Sequence, residues 1–287
     1  MNDVKMIEVL AAGLLTTVQD LGRFGYAALG VGRSGAADLA SHRLANRLVG
    51  NAEGAATLEA TFGGLRLRAH ADLLVAITGA PAPVYVGSAQ QGGNAPFRLP
   101  AGAELRLGSP ATGLRSYVAV RGGIGCDPVL GSRSRDVLAG LGPPPLRAGE
   151  FLSVAADTAA DPVVDVAPVE TPSVEPVLRI APGPRQDWFT APAWSTLLSS
   201  AYTTSPDSNR IGVRLSGPAL ERRTPGELPS EPIVPGAVQV PASGQPLVFL
   251  ADHPVTGGYP VIGVVRRADL GMAAQLRPGQ LVRFTAR

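Results

Sequence analysis

The 287-residue chain is 45% hydrophobic and 17% charged, enough apolar material for one large core or two ordinary ones and too little charge for disorder throughout. No uncharged apolar run reaches the roughly 20 residues that a bilayer-crossing helix needs, which excludes a helical membrane span. The formal charge of +2 arises from 25 basic and 23 acidic residues, with Lys5 the only lysine and the arginines scattered, so no nucleic-acid-binding stripe is legible. The first residues carry no apolar stretch followed by a small-residue cleavage site, so a signal peptide is not expected. A lone cysteine, Cys126, fits a reducing, cytoplasmic setting and rules out an internal disulfide or a cysteine zinc site.

The 35 glycines and 27 prolines favour short elements joined by tight turns, which predicts a mainly β protein with a few short helices. The opening run Gly13-Leu14-Leu15-Thr16-Thr17-Val18-Gln19-Asp20-Leu21-Gly22-Arg23 is dense in glycine and small polar groups. It suits either an anion-binding loop, with Gln19, Asp20 and Arg23 as candidate ligand contacts, or simple corner turning. Beyond it, Ala37, Ala40, Leu44 and Leu48 recur at near-helical spacing, which predicts a helix near 36–49 with Ser34 as its cap and Gly50 at its end. Glu59 reads as a base or as a cap for local amides.

Alternating or β-branched runs predict strands at 65–68, 73–78, 84–86, 117–120, 177–180, 247–250, 261–265 and 281–284. A turn-then-strand pattern centred on Gly102, Gly149 and Gly279 occurs three times. It is either an internal echo of two related barrels or plain turn chemistry. Residues 155–176, rich in Ala, Pro, Asp and Thr without apolar periodicity, read as a linker. That gives an N-terminal domain over 1–154 and a C-terminal domain over 177–287. A second short helix is predicted over 187–198, interrupted by Pro192.

Chemistry-bearing residues concentrate in the C-terminal part. Arg210 and Arg214 lie four apart, on one face if the segment is a strand, and form either an anion clamp or ordinary ion-pair partners. Gln239, like Gln19, is an amide flanked by apolar residues, suited to a substrate amide or to buried backbone. Asp252 and His253 precede Thr256-Gly257-Gly258-Tyr259 at the end of an apolar run. The two glycines allow close backbone approach to a ligand, and Asp252 beside them is the candidate catalytic carboxylate, facing a cleft. Cys126 precedes Asp127, a carboxylate that would raise its pKa and disfavour a nucleophilic role. There is no phosphate-binding loop motif and no H-E-x-x-H zinc motif.

The ordered blocks above resemble the allophanate hydrolase subunit 2-like family, which contains the 5-oxoprolinase C subunits. The resemblance runs on through Ala45-Asn46-Arg47-Leu48-Val49-Gly50-Asn51, Leu58-Glu59, Arg121-Gly122-Gly123, Leu130-Gly131-Ser132-Arg133-Ser134 and Arg210-Ile211-Gly212-Val213-Arg214-Leu215. It continues through Pro229-Ser230-Glu231, Pro235 to Pro241, Gly244-Gln245-Pro246 and Asp252 with Thr256 to Tyr259. Pro232, Pro254 and Val255 depart from the family pattern, as does Asn209 in place of its usual Asp.

The resemblance implies two β-barrel-like units, the C-terminal one cyclophilin-like. It also implies one component of an ATP-dependent complex that opens 5-oxo-L-proline to L-glutamate, inactive alone. Its partners would be a kinase-inhibitor-like protein of the B type and a lactam-hydrolase-like protein of the A type. ATP and Mg²⁺ are implied for the complex, with no cofactor on this chain and no metal site. Two alternatives stay open: a carboxyltransferase component of a biotin-dependent urea-carboxylase-like system, or a non-enzymatic regulator that binds a kinase-inhibitor-like partner. Lys5-Met6 mimics part of a biotin-attachment sequence without the surrounding domain.

Overall fold

The computed structural model describes residues 5–286. The chain forms two compact units that are not consecutive in sequence. The first holds residues up to Arg23 together with Asp38–Asp136 and Gly140–Thr171; the second holds Phe24–Ala37, Val137–Ala139 and the chain from Pro172 onward.

The first unit is built of two antiparallel sheets. The seven-stranded sheet runs in the order Ile124–Gly125, Phe151–Val154, Met6–Ala12, Leu65–Ala69, Glu104–Leu107, Val84–Val86, Ala89–Gln91. The five-stranded sheet runs Leu15–Gln19, Thr57–Thr61, Arg115–Val120, Leu73–Gly79, Pro96–Leu99. Alternation decides which side chains go inward: Leu65, Leu67 and Ala69 are buried while Arg66 is exposed. Those residues join Val75, Ile77, Val118 and Val120 in one apolar core. Arg115–Val120 is buried at all six positions, because it is a central strand and a helix also packs against it.

That helix spans Leu39–Leu48, shorter at its start than the predicted 36–49, and its cap is Asp38, whose carboxylate accepts from the Ser41 amide at 3.1 Å. Ser34 cannot serve as the cap because Ser34 and Gly35 have φ of 55° and 98°, a left-handed kink ahead of the helix. Gly50 takes φ 71° just beyond the helix, where a Cβ would lie 2.2 Å from the Ala160 carbonyl oxygen.

The second unit is built on a closed seven-stranded barrel in the order Val177–Pro182, Val261–Val265, Ala237–Gln239, Leu247–Phe249, Gly212–Ser216, Ala201–Thr204, Leu281–Thr285. Its closing pair, Val177–Pro182 with Leu281–Thr285, is parallel, and its other pairs are antiparallel. Tyr202, Val238, Val248, Ile262 and Phe284 fill its interior. The second helix is Ala191–Ser199, and Pro192 sits in its first turn rather than interrupting it, a place where the missing amide hydrogen is harmless. The repeated turn pattern has one backbone requirement in both units: Gly102, Gly149 and Gly279 have φ of 79°, 87° and 81°, and a Cβ at any of them would meet nothing within 4 Å. Backbone conformation alone demands glycine there. Among the described residues no helix is long and apolar enough to cross a membrane.

Candidate functional site

In the second unit, the chain leaves strand Leu247–Phe249 and places Asp252 beside Arg210, whose carbonyl oxygen accepts the Asp252 amide at 3.0 Å. The Asp252 carboxylate receives Arg210 Nε at 2.9 Å on Oδ2 and Nη2 at 2.9 Å on Oδ1. Ser34 Oγ donates to Oδ1 at 2.6 Å and the Val137 amide to Oδ2 at 2.9 Å. Four donors occupy a group with about four acceptor positions, and both partners are only 1% exposed. Asp252 therefore lies inside the unit rather than on an open cleft, and its geometry is that of a clamp. Arg210 also donates to the Gly35 carbonyl oxygen at 2.6 Å, so the pair pins the left-handed Ser34-Gly35 turn.

Arg214 does not share a face with Arg210. The strand begins only at Gly212, leaving Arg210 in the preceding turn, and Arg214 is exposed. His253 is buried, with Nδ1 2.7 Å from the Pro254 carbonyl oxygen.

The Thr256–Tyr259 loop lies at the surface of the same unit. Thr256–Gly257 pairs with Glu231–Pro232 as a two-stranded ribbon. Gln239 is buried and donates Nε2 to the Tyr259 carbonyl oxygen at 3.0 Å, so this amide serves the loop backbone. Neither glycine of the pair has a positive φ; space is their reason. A Cβ on Gly257 would lie 2.8 Å from Gln239 Nε2, and one on Gly258 3.1 Å from the Leu228 carbonyl oxygen. A strap covers the loop: the Leu228 amide donates to Gly258 at 2.7 Å, the Ile233 amide to Val255 at 2.9 Å, and Arg185 pairs with Glu231 through Nε at 3.0 Å. A hydrogen bond to Glu227 pushes the Tyr259 phenol above its ordinary range. Arg185 and Glu227 carried no distinguishing signal in the sequence, whereas Glu231 lay in a recognisable Pro-Ser-Glu block.

In the first unit two of the sequence blocks converge. Asp20 Oδ1 accepts from the Gly22 amide at 2.7 Å, Ser132 Oγ at 2.7 Å and Ser134 Oγ at 2.5 Å, while Oδ2 accepts from the Arg133 amide at 2.6 Å. Asp20 thus holds the Ser132-Arg133-Ser134 turn. Arg23, 2% exposed, donates Nη2 to the Ser134 carbonyl oxygen at 2.5 Å, and its Nε lies a long 3.5 Å from Val129 O. Its Nη1 is buried with no hydrogen-bond partner among the described residues. Gln19 donates Nε2 to Thr17 Oγ1 and to Arg135 O, both at 2.9 Å, and its Oε1 is likewise buried without a partner. A buried guanidinium served only by carbonyl oxygens is suited to an anion.

Nearby groups are buried or partly buried. Glu59 is 1% exposed and accepts from the Tyr117 hydroxyl at 2.8 Å. Burial drops His42 to a pKa of about 4. The Cys126 thiol is raised, as expected, but burial is the main cause and Asp127 a minor one.

Residues 29–286 match the family described as carboxyltransferase domain, subdomain A and B. The chain is 38% identical to the 5-oxoprolinase C subunit of Escherichia coli (strain K12), over 97% of this chain and 90% of that protein. Two solved structures share the fold. TTHA0988 is 38% identical with a TM-score of 0.89, covering 99% of this chain and 56% of the solved one. The urea amidolyase of K. lactis is 30% identical with a TM-score of 0.91, covering 97% of this chain and 18% of the solved one. The chain thus spans about half of the first solved protein and under a fifth of the second. With its closed barrel, its two-sheet unit and its match along nearly all of the E. coli protein, the chain belongs to the carboxyltransferase subdomain A and B family that includes the 5-oxoprolinase C subunits.

Proposed function

We propose that this chain is the C subunit of a 5-oxoprolinase, a cytoplasmic complex that couples ATP hydrolysis to opening of the 5-oxo-L-proline lactam to L-glutamate. The observation that carries the reading is the 38% identity to the E. coli protein of that name along nearly the whole of both chains. The substrate offers a carboxylate and an amide, and the buried residues offer matching chemistry. Arg23 supplies an unfilled N–H for a carboxylate and Gln19 an unfilled acceptor for an amide hydrogen. In the second unit, the Thr256–Tyr259 loop supplies the exposed Thr256 hydroxyl, and Gln239 holds the loop through the Tyr259 carbonyl oxygen. Asp252 and Arg210 act as positioning residues for the Ser34-Gly35 turn, and Arg214 as a solvent-facing cation.

This reading assigns ATP and Mg²⁺ no residues on this chain. Among the described residues no three His, Cys, Asp or Glu side chains are grouped to hold a metal ion, and the sequence lacks a phosphate-binding loop. In this reading those groups belong to the partners, a kinase-inhibitor-like protein of the B type and a lactam-hydrolase-like protein of the A type, and the isolated chain is inactive.

A second reading rests on the urea amidolyase likeness: carboxyl transfer within a biotin-dependent system. One assay separates them. The co-expressed complex should release glutamate from 5-oxoproline only with ATP and all three proteins present. Carboxylation of urea that needs biotin, without glutamate release, would replace the first reading with the second.

A further inference from the structure

A groove of about 850 Å³ opens on the first unit, lined among the described residues by Lys5, Arg98 and Arg121 with one carboxylate, Asp72. Its construction follows from strand order. Arg121 leaves the end of Arg115–Val120 and its amide donates to Leu74 O at 2.8 Å, while Leu74 on the neighbouring strand stands opposite Arg98 on the next. The two arginine backbones are therefore two strand spacings apart, about 10 Å. Leu73, Leu99 and Val154 form apolar walls, and among the described residues no aromatic ring lines the groove.

We propose that this groove binds a small aliphatic polyanion, carboxylate or phosphate in kind, bridged between Arg98 and Arg121 with Lys5 at its rim. Three cations against one carboxylate leave the lining at net +2, and low-dielectric walls focus that charge. Asp72, whose charge is included in that balance, is held in place by the Ala101 amide, which donates to its Oδ1 at 2.8 Å. The Arg98 guanidinium has no ion-pair or hydrogen-bond partner among the described residues. Arg121 is pre-set: Nη1 donates to Val49 O at 3.0 Å and Ala160 O at 2.8 Å. Its Nη2 touches Asp161, a side chain 94% exposed, which a ligand can displace because such surface pairs are weak. The lack of aromatic walls disfavours a nucleobase, for which stacking would be the natural recognition. The volume suits a metabolite-sized ligand. Neither Arg23 nor the Thr256–Tyr259 loop takes part, so the groove is independent of the function proposed above.

The test is calorimetric titration of the full chain with citrate and, separately, inorganic pyrophosphate at a fixed ionic strength of about 0.15 M. Saturable binding with a Kd of about 1 mM or tighter is expected for at least one probe. Arg98→Gln should weaken it about tenfold, and Lys5→Gln less, with the melting temperature unchanged in both. Preference for citrate identifies a carboxylate ligand and preference for pyrophosphate a phosphate ligand. Absence of saturation with both probes, or affinity that Arg98→Gln leaves intact, overturns the site.

Discussion

Two buried guanidinium groups, Arg210 in one unit and Arg23 in the other, are the largest fully buried side chains of the molecule, and they are served in opposite ways. Arg210 meets a carboxylate head-on through two nitrogens, and that carboxylate is filled by two further donors. Among the described residues Arg23 has no carboxylate partner: the nearby Asp20 spends its acceptors on a serine-rich turn, and one Arg23 nitrogen is left without a bond. A saturated buried pair holds a structure together, because removing either member strands a charge in low dielectric. An under-served buried cation still has an N–H to offer and is suited to a ligand.

The largest effect should come from breaking the saturated pair. Asp252→Ala leaves Arg210 buried and alone, so a loss of about 3–5 kcal/mol of stability is expected in chemical denaturation. A variant that melts normally yet abolishes turnover would return Asp252 to the chemistry. Next comes acid sensitivity from His42, whose folded pKa of about 4 lies below the ordinary 6.5. Between those values the unfolded chain takes up a proton that the folded one refuses, so stability falls as pH drops through the window and levels off below it. The expected loss is about 3 kcal/mol, and a folded His42→Gln variant should show a correspondingly flatter profile.

Smaller effects sharpen the contrast at the surface. Glu231→Gln weakens its ion pair with Arg185, so amide exchange at Leu228 and Ile233, which tie the strap to the loop, should accelerate without a shift in melting temperature. Unchanged exchange would mean that the pair does not hold the strap. Smallest of all, Arg214→Ala should alter stability by no more than about 0.5 kcal/mol, as exposed positions do. A loss like that of Asp252→Ala would show that the two arginines act together after all.

Much of the fold was legible because its signals are local. Val261–Val265 was read from its β-branched run to the residue, and Gly102, Gly149 and Gly279 announced turns by type. Strands such as Leu15–Gln19 and Thr57–Thr61 escaped because they bury threonine, glutamine and glutamate, which blurs the apolar alternation that marks a strand. The first unit's two sheets and the assignment of 24–37 and 137–139 to the second unit depend on long-range pairing that no local pattern encodes. At the site, Asp252 and Arg210 were found as residues but not as a pair. Their partnership spans 42 positions and recruits Ser34 from 218 positions away. The Thr256–Tyr259 loop was visible through its glycines, whereas the strap residues Arg185 and Glu227 sit in unremarkable sequence.

The most direct test of the contrast between the two arginines uses the assembled complex carrying Arg23→Gln, with ATP-dependent glutamate release measured against 5-oxoproline concentration. If Arg23 holds a ligand, the KM should rise at least about tenfold, while the melting temperature stays close to that of the unmodified complex and the complex still assembles. An unchanged KM in a properly assembled complex, or a collapse of stability like that expected for Asp252→Ala, would contradict that role.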